Sequence, residues 1–185
     1  MEVIKSKDFI KYKNRILSHV KRGGLICYPT DTAYGIGCVI DNENSIKTLR
    51  NIKESLAPFS IIVPNKDWIH KNCHIKKEHH EYLELLPGPY TLILSSKTQM
   101  PYDLNLNKET INVRIPDHWI SNFVNEIKVP LITTTINLEN DEILKHHSEM
   151  PKHILKHVNY FIDEGELFNE QSTIISLNQN IDKIR

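Results

Sequence analysis

Side chains that carry oxygen atoms are concentrated in one short turn near the start of the chain. Thr30, Asp31 and Thr32 form this turn. They follow an apolar segment, residues 25–28, which is predicted to be a buried strand that ends at a proline. Hydroxyl groups and free backbone N–H groups at the end of a strand suit a polar or anionic ligand. The turn is therefore a candidate binding site, although a turn between core strands favours the same residue types.

Two glycines follow this turn. A Cβ atom at Gly35 or Gly37 would block some backbone angles and some close approaches. The pair therefore indicates an unusual backbone angle or a close approach at this point.

The composition is that of an ordinary globular protein. The chain has 185 residues, 39% apolar and 25% charged, which is enough for one domain with a sizeable core. Its 23 basic residues balance its 23 acidic residues. No overall positive field would draw it to nucleic acid, so RNA binding would require a local basic patch.

Neither a membrane nor an oxidising compartment is predicted. No apolar segment approaches the length of a membrane span, and residues 1–5 lack a signal-peptide core. Cys27, Cys38 and Cys73 do not form a disulfide framework, and the first two lie in apolar surroundings typical of buried thiols. We therefore expect a cytoplasmic protein.

Helical and strand patterns are intermixed without strict β-α-β alternation. This order favours a mixed sheet with flanking helices over a doubly wound parallel sheet. The helical patterns begin at Asp8 and cover residues 46–52, 65–71, 78–86, 118–127 and a segment from Ser148 and Pro151 onwards; the strand patterns cover residues 25–28, 59–63, 90–95, 110–115, 131–135, 160–163 and 173–177.

Five segments resemble, in the same order, segments of the YrdC-type threonylcarbamoyl-AMP synthase family. They are residues 28–37 (YPTDTAYGIG), 86–94 (LPGPYTLIL), 113–118 (VRIPDH), 130–137 (PLITTTIN) and 171–175 (QSTII). The resemblance covers nearly the whole chain. It implies an α/β (α+β) fold, with a single YrdC-like domain over residues 1–185. The expected architecture is a twisted, mixed parallel and antiparallel sheet with flanking helices and a deep ligand cleft.

The resemblance also implies a nucleotidyltransferase enzyme. The family joins L-threonine, bicarbonate and ATP into threonylcarbamoyl-AMP and pyrophosphate, and the product serves the t6A modification of tRNA. ATP would enter as a substrate with Mg²⁺, because no cluster of Asp and Glu suggests a metal site built by the protein. No tightly bound cofactor is expected. Transient contacts with tRNA or with tRNA-modification proteins are the implied macromolecular interactions.

Matching positions supply the candidate residues for the threonine and bicarbonate side of the site. Thr30, Thr32 and Ser172 correspond to substrate-binding positions of the family. Lys53 and Arg114 are the candidate catalytic cations, since anionic substrates require positive charge in the cleft. The structural alternatives are a solvated lysine at a helix end and an arginine in a surface ion pair.

One departure from the family pattern affects the phosphate side. The Lys-x-Arg motif of the family reads Lys53-Glu54-Ser55, and the segment that follows is slightly shorter than usual. Serine cannot replace the bidentate fork of an arginine. Arg50, one helical turn before Lys53, is the candidate substitute.

Three more residues are predicted to bind nucleotide by resemblance. Thr135 and Asn137 match the Ser and Asn of a Thr-Ser-Ala-Asn segment, and Arg185 aligns with an arginine at the nucleotide. Ile136 stands where the family has alanine, so crowding of the site is expected.

These departures leave a second hypothesis open. The YciO branch likewise departs from the Lys-x-Arg motif, and this chain resembles it in that respect, so the second hypothesis is an altered homologue without synthase activity. Such a protein would bind nucleotide or RNA, or hydrolyse the adenylate. The basic run at residues 71–77 is the local RNA-binding candidate, with a solvated face as the alternative.

The histidines do not predict a metal site. His153 and His157 share a helical face, and His70, Cys73 and His74 form a second group. Neither has the spacing of a known zinc motif, so solvated faces are predicted for both.

Overall fold

Eleven strands of the described chain form one continuous sheet. The computed structural model describes residues 1–101, 103–105, 109–138, 142–178 and 182–183. The strands are β1 (Glu2–Lys5), β2 (Leu25–Tyr28), β3 (Gly35–Val39), β4 (Ser60–Ile62), β5 (Cys73–His74), β6 (Tyr90–Ser96), β7 (Thr110–Arg114), β8 (Leu131–Thr135), β9 (Val158–Asp163), β10 (Thr173–Ser176) and β11 (Asp182–Lys183).

The sheet contains both parallel and antiparallel pairs, as the sequence predicted. Its order is β1-β9-β2-β3-β8-β4-β7-β6-β10-β11, with β5 paired to β6. The pairs β1/β9, β9/β2, β4/β7 and β6/β10 are parallel, and the others are antiparallel. Strands distant in sequence thus become neighbours, which brings separate segments to one site.

Helices cover both faces of the sheet. They are α1 (Phe9–Lys21), α2 (Glu43–Lys53), α3 (Lys66–Asn72), α4 (Trp119–Ile127) and α5 (Lys152–Leu155), with short 3-10 helices at Ser6–Asp8, Lys77–Leu85 and His147–Glu149. The apolar sides of α1 and α4 pack on one face, and α2 and α3 pack on the other. None of the described helices is both long enough and apolar enough to span a membrane.

Most predicted elements are present within one or two residues of the expected ends. Three short strands, β1, β5 and β11, were not predicted, and β3 was expected only as a core strand after the threonine turn, without bounds. The helical pattern at residues 78–86 forms a 3-10 helix. The helix expected after Ser148 and Pro151 is only the four-residue α5. Short edge elements carry too few residues for a periodic pattern to stand out.

The two glycines of β3 allow this strand to approach β8 closely. A Cβ atom on Gly37 would lie 1.8 Å from the carbonyl oxygen of Ile132. On Gly35 it would lie 2.9 Å from Thr133 Oγ1. Both separations are shorter than a van der Waals contact, so the close approach expected from the sequence is confirmed.

Candidate functional site

One face of the central strands changes from apolar to polar along its length. Leu131 pairs with Ile62 on the part of this face that lies under α1 and α4. Two residues further along, Thr133 pairs with Ser60, and Ser60 in turn pairs with Asn112. Side chains two residues apart in a strand point to the same face. The polar and apolar parts therefore lie on the same face of the sheet, and the polar part lies where α1 and α4 do not cover the strands.

A cavity of about 230 Å³ lies over this polar face. Its lining combines strand residues with the threonine turn and the segment that leads into β10. The polar side chains of the lining are Thr30, Thr32, Tyr34, Ser60, Thr91, Asn112, Arg114, Thr133, Thr134, Thr135, Gln171 and Ser172. None of the described lining residues is acidic, so the cavity suits an anionic or strongly polar ligand.

The threonine turn is held by its own hydroxyl groups. Thr30 Oγ1 accepts from the backbone N–H groups of Thr32 and Ala33, at 3.2 Å each, and donates to the Ala33 carbonyl at 2.8 Å. The hydroxyl oxygens of Thr30 and Thr32 are 3.0 Å apart, and both residues are buried. Thr30 therefore shapes the turn, and Thr32 presents its hydroxyl to the neighbouring arginine.

Arg114 is fixed at the cavity by a buried ion pair. Its Nη2 donates to Asp31 Oδ1 at 2.9 Å and to Thr32 Oγ1 at 3.1 Å. The other carboxylate oxygen of Asp31 accepts from the backbone N–H of Asp117 at 2.9 Å. The Arg114 and Asp31 side chains are only 9% and 10% exposed, so the surface ion pair considered from the sequence is not what forms.

Asp31 was identified from the sequence only as a polar residue of the threonine turn, with no role of its own, and Thr91 was not singled out. Asp31 orients Arg114, and the only signal was a carboxylate between two threonines of the turn. Thr91 lies next to Ser172, with the two hydroxyl oxygens 2.9 Å apart and both side chains buried. This contact joins β6 to the residue just before β10, and the sequence does not reveal that these two strands pair.

Lys53, Thr135 and Asn137 form a second group beside the cavity. Lys53 Nζ, at the end of α2, donates to the Thr135 carbonyl at 2.8 Å and to Asn137 Oδ1 at 2.7 Å. Thr135 Oγ1 donates to the same Asn137 oxygen at 3.3 Å. Thr135 also lines the cavity. The structure therefore brings together three predicted residues from two separate segments of the chain.

Arg50 is placed elsewhere and contacts backbone carbonyls. Its Nη1 donates to the Ser55 and Ala57 carbonyls at 2.7 Å each, and its Nη2 donates to the Asp103 carbonyl at 2.6 Å. The guanidinium lies 3.8 Å from the ring centroid of Phe59, and burial lowers the pKa of Arg50. Arg50 is not among the described cavity residues, and its contacts are those of a group that fixes the 54–58 loop.

The crowding expected from Ile136 does not occur, and that expectation was wrong. Ile136 is fully buried within the hydrophobic core. Thr135 and Asn137, on either side of it, belong to the group around Lys53. The extra bulk therefore fills the core and not the cleft. Arg185, the remaining predicted nucleotide-binding residue, lies outside the described residues.

The predicted histidine groups are not assembled as metal ligands. Cys73 is buried between His70 and His74, which are both exposed, and burial raises the pKa of the Cys73 thiol to about 12. His153 is exposed and His157 is partly exposed. Neither group is among the described clusters whose ligand atoms converge.

Together, the fold and the site define an α/β protein with a polar cleft whose wall carries Arg114 and which has Lys53 beside it. The Sua5_yciO_yrdC family model, described as "Telomere recombination", matches residues 18–185. The chain therefore belongs to the Sua5/YciO/YrdC family.

Two similar proteins are both named as threonylcarbamoyl-AMP synthases. A protein of Methanocaldococcus jannaschii called "Putative threonylcarbamoyl-AMP synthase" is 35% identical over 174 residues, which cover 89% of this chain and 82% of that protein. The threonylcarbamoyl-AMP synthase of Bos taurus is 24% identical, over 84% of this chain and 57% of its own length. The chain thus spans most of the archaeal relative and a little over half of the bovine one.

Solved structures share the fold at lower identity. Escherichia coli YciO superposes with a TM-score of 0.86 at 24% identity, covering 99% of this chain and 93% of YciO. Pyrococcus abyssi Sua5 complexed with L-threonine gives a TM-score of 0.82 at 22% identity, covering 96% of this chain and 54% of that protein. These likenesses establish the fold.

Proposed function

We propose that this chain is an L-threonylcarbamoyladenylate synthase, a nucleotidyltransferase that makes threonylcarbamoyl-AMP for tRNA modification. The observation that carries the proposal is the assembly of Arg114, the threonine turn and Ser172 around one non-acidic cavity. The 35% identical relative, which bears the name of this activity, supports the same assignment.

The cavity suits the first half of such a reaction. The amine of threonine attacks the carbon of bicarbonate, which gives an N-carboxylate and releases water. Both substrates bring carboxylate oxygens, and the guanidinium of Arg114 supplies a permanent positive charge where they would meet. Thr32, Thr91 and Ser172 supply hydroxyl groups for the polar ends of threonine and bicarbonate.

The second half needs a nucleotide beside the carboxylated threonine. A carbamate oxygen attacks the α-phosphorus of ATP, and the bond to pyrophosphate breaks. Such a step depends mainly on positioning and on stabilisation of negative charge. Lys53 supplies the charge, and Thr135 and Asn137 hold its ammonium group at the edge of the cavity. Arg185 is a further proposed nucleotide contact.

Mg²⁺ would accompany ATP and would neutralise the charge of the triphosphate. The lining residues are consistent with this, since none of those described carries a carboxylate that would hold the ion independently. Both oxygens of the nearby Asp31 already accept hydrogen bonds from Arg114 and Asp117.

An altered, YciO-like homologue is the alternative function. Two observations favour it: Ser55 stands at the position of the motif arginine, and Arg50 is held by backbone carbonyls. The likeness to YciO itself is at 24% identity and bears on the fold alone. The name of the more similar relative supports the synthase.

A pyrophosphate-release assay separates the two functions. The purified chain is supplied with ATP, Mg²⁺, threonine and bicarbonate, and each component is omitted in turn. A synthase releases pyrophosphate only when all are present. Release that is independent of threonine and bicarbonate, or no release from folded protein, would support the altered homologue.

A further inference from the structure

Two histidines and an aspartate that are not among the residues lining the cleft converge with one another. His146 and His147 precede α5, and Asp163 is the last residue of β9. One potential metal-ligand atom from each lies within 4.8 Å of the other two. The three residues come from segments that are distant in sequence, so the fold and not the local sequence assembles this cluster.

One buried nitrogen atom of the cluster has no hydrogen-bond partner among the described residues. His147 Nδ1 lies 3.3 Å from Asp163 Oδ2, yet it is buried and has no hydrogen bond among the described groups. The Asp163 side chain is fully buried. A buried imidazole nitrogen without a hydrogen bond, facing a carboxylate oxygen, is an arrangement that a metal ion completes.

We propose that His146, His147 and Asp163 bind a divalent transition-metal ion of the zinc class, with water at the remaining position. Imidazole and carboxylate ligands suit such ions. Bond lengths of about 2.0–2.1 Å imply ligand separations of about 3.4 Å in a tetrahedral site. Both histidine side chains are partly exposed, so they can rotate by the small distance required. The ion would fasten the 3-10 helix His147–Glu149 to the end of β9.

Neighbouring groups already orient two of the ligands. Nδ1 of His146 accepts the backbone N–H of Ser148 at 3.3 Å and lies 2.8 Å from Ser148 Oγ, and these two contacts fix the ring. Asp163 Oδ1 accepts from Tyr34 Oη at 3.2 Å and from the Gly165 N–H at 2.9 Å. Oδ2 is therefore the carboxylate oxygen directed at His147. Partners of this kind support metal affinity in known sites.

Lys5 competes with a metal ion for the carboxylate of Asp163. Its ammonium group forms a short ion pair with Asp163 Oδ2, but 56% of the lysine side chain is exposed. A metal ion would displace the ammonium into solvent, where it is well hydrated. Removing this charge should strengthen metal binding, because the carboxylate would then have no other strong cationic partner nearby.

The test is a metal titration of tag-free, chelator-treated protein. Co²⁺ is followed by its visible absorption, and Zn²⁺ by competition with a chromogenic chelator. We expect one equivalent to bind to the wild type. The double variant His146→Gln/His147→Gln should bind at least about tenfold more weakly. The matched control, His153→Gln/His157→Gln, removes two histidines outside the cluster and should bind like the wild type.

Lys5→Met gives the sharper result, with an expected increase in Zn²⁺ affinity of about tenfold. A purely structural Lys5–Asp163 pair predicts no such increase. Metal-free thermal unfolding of every variant verifies that the fold is intact. The proposal is overturned if no stoichiometric binding occurs, or if the folded His146/His147 double variant keeps the wild-type affinity. Synthase activity does not enter these readouts.

Discussion

Arg114 owes its position in the cleft to Asp31. A guanidinium that is 9% exposed would be costly without a partner, and the carboxylate of Asp31 supplies one at 2.9 Å. The Asp117 N–H fixes the same carboxylate from the other side. The guanidinium is thereby held at a fixed place on the cavity wall.

Loss of Arg114 should reduce turnover strongly. Arg114→Gln removes the charge but also leaves Asp31 buried without its partner, which costs about 3–5 kcal/mol of stability. The double variant Arg114→Gln/Asp31→Asn avoids that penalty. We expect it to unfold near the wild-type temperature while kcat/KM for threonine falls by about 100-fold or more.

Arg15→Gln is the matched control, because Arg15 pairs with Glu2 on the exposed surface. It should leave kcat/KM and thermal unfolding almost unchanged. Wild-type turnover in the folded double variant would contradict the assignment of Arg114.

Lys53 should matter for ATP. Lys53→Met removes a charged donor that holds Thr135 and Asn137, and we expect kcat/KM for ATP to fall by about 10–100-fold. Lys47→Met, an exposed position on the same helix, should not change it. Steady-state kinetics at varied ATP measures both, and equal losses in the two variants would count against the proposed role.

At the scale of elements, Arg50 connects the end of α2 to two loops. Its guanidinium contacts carbonyls of the 54–58 and 103–105 segments and stacks on Phe59. Glu54, which follows α2, has a φ of +46° and turns the chain out of the helix. Arg50 therefore fixes the shortened 54–58 loop through its backbone carbonyls. Two residues of this loop, Ala57 and Pro58, line the cavity.

Arg50→Ala should destabilise the protein by about 2–3 kcal/mol, because several charge-assisted hydrogen bonds are lost together. Arg50→Lys keeps the charge but cannot bridge separate carbonyls, so it should recover only part of the stability. Denaturant unfolding measures the difference. A stable Arg50→Ala variant with a greatly raised KM for ATP would contradict this structural role and indicate that Arg50 binds the nucleotide.

Gly37 sets the spacing between β3 and β8. Gly37→Ala places a Cβ atom 1.8 Å from a backbone oxygen, so the strands must separate. We expect a loss of about 3 kcal/mol or more. Gly165→Ala is the comparison: its φ is +89° but nothing lies within 4 Å, so only about 1–2 kcal/mol of backbone strain is expected. Thermal unfolding measures both variants, and a Gly165→Ala protein that is less stable than Gly37→Ala would contradict this explanation.

The sequence predicted the elements better than their contacts. The threonine turn, Lys53 and Arg114 could be identified because each lies in a recognisable local segment. The bond from Arg114 to Asp31 spans 83 positions, and the contact of Thr91 with Ser172 spans 81, so both depend on strand order. Ile136, just after β8, likewise lies in the core because of the way the sheet packs there. A local motif does not show which side chains that packing buries.

At the scale of the whole molecule, one sheet carries both the core and the cleft. It runs from Glu2 to Lys183 in the chain, which supports our proposal that residues 1–185 form one domain. The polar cavity begins where α1 and α4 no longer cover the strands. The cysteines are part of the core: all three are free and buried, as expected from the sequence for Cys27 and Cys38.

Burial should make these thiols unreactive in the folded protein. It raises the pKa of Cys38 and Cys73 to about 12, and that of Cys27 also upwards. A thiol reagent at pH 8 should therefore modify the native protein very slowly and all three cysteines after denaturation. Rapid modification of the native protein would show that the packed core opens easily.

The central claim is that the cleft joins threonine, bicarbonate and ATP. The most direct measurement supplies ¹³C-bicarbonate with ATP, Mg²⁺ and threonine and analyses the products by mass spectrometry. We predict threonylcarbamoyl-AMP that carries the ¹³C label, together with pyrophosphate, and its loss in the Arg114→Gln/Asp31→Asn variant. Unlabelled AMP without the adenylate, formed by folded wild-type protein, would contradict the synthase and indicate hydrolysis.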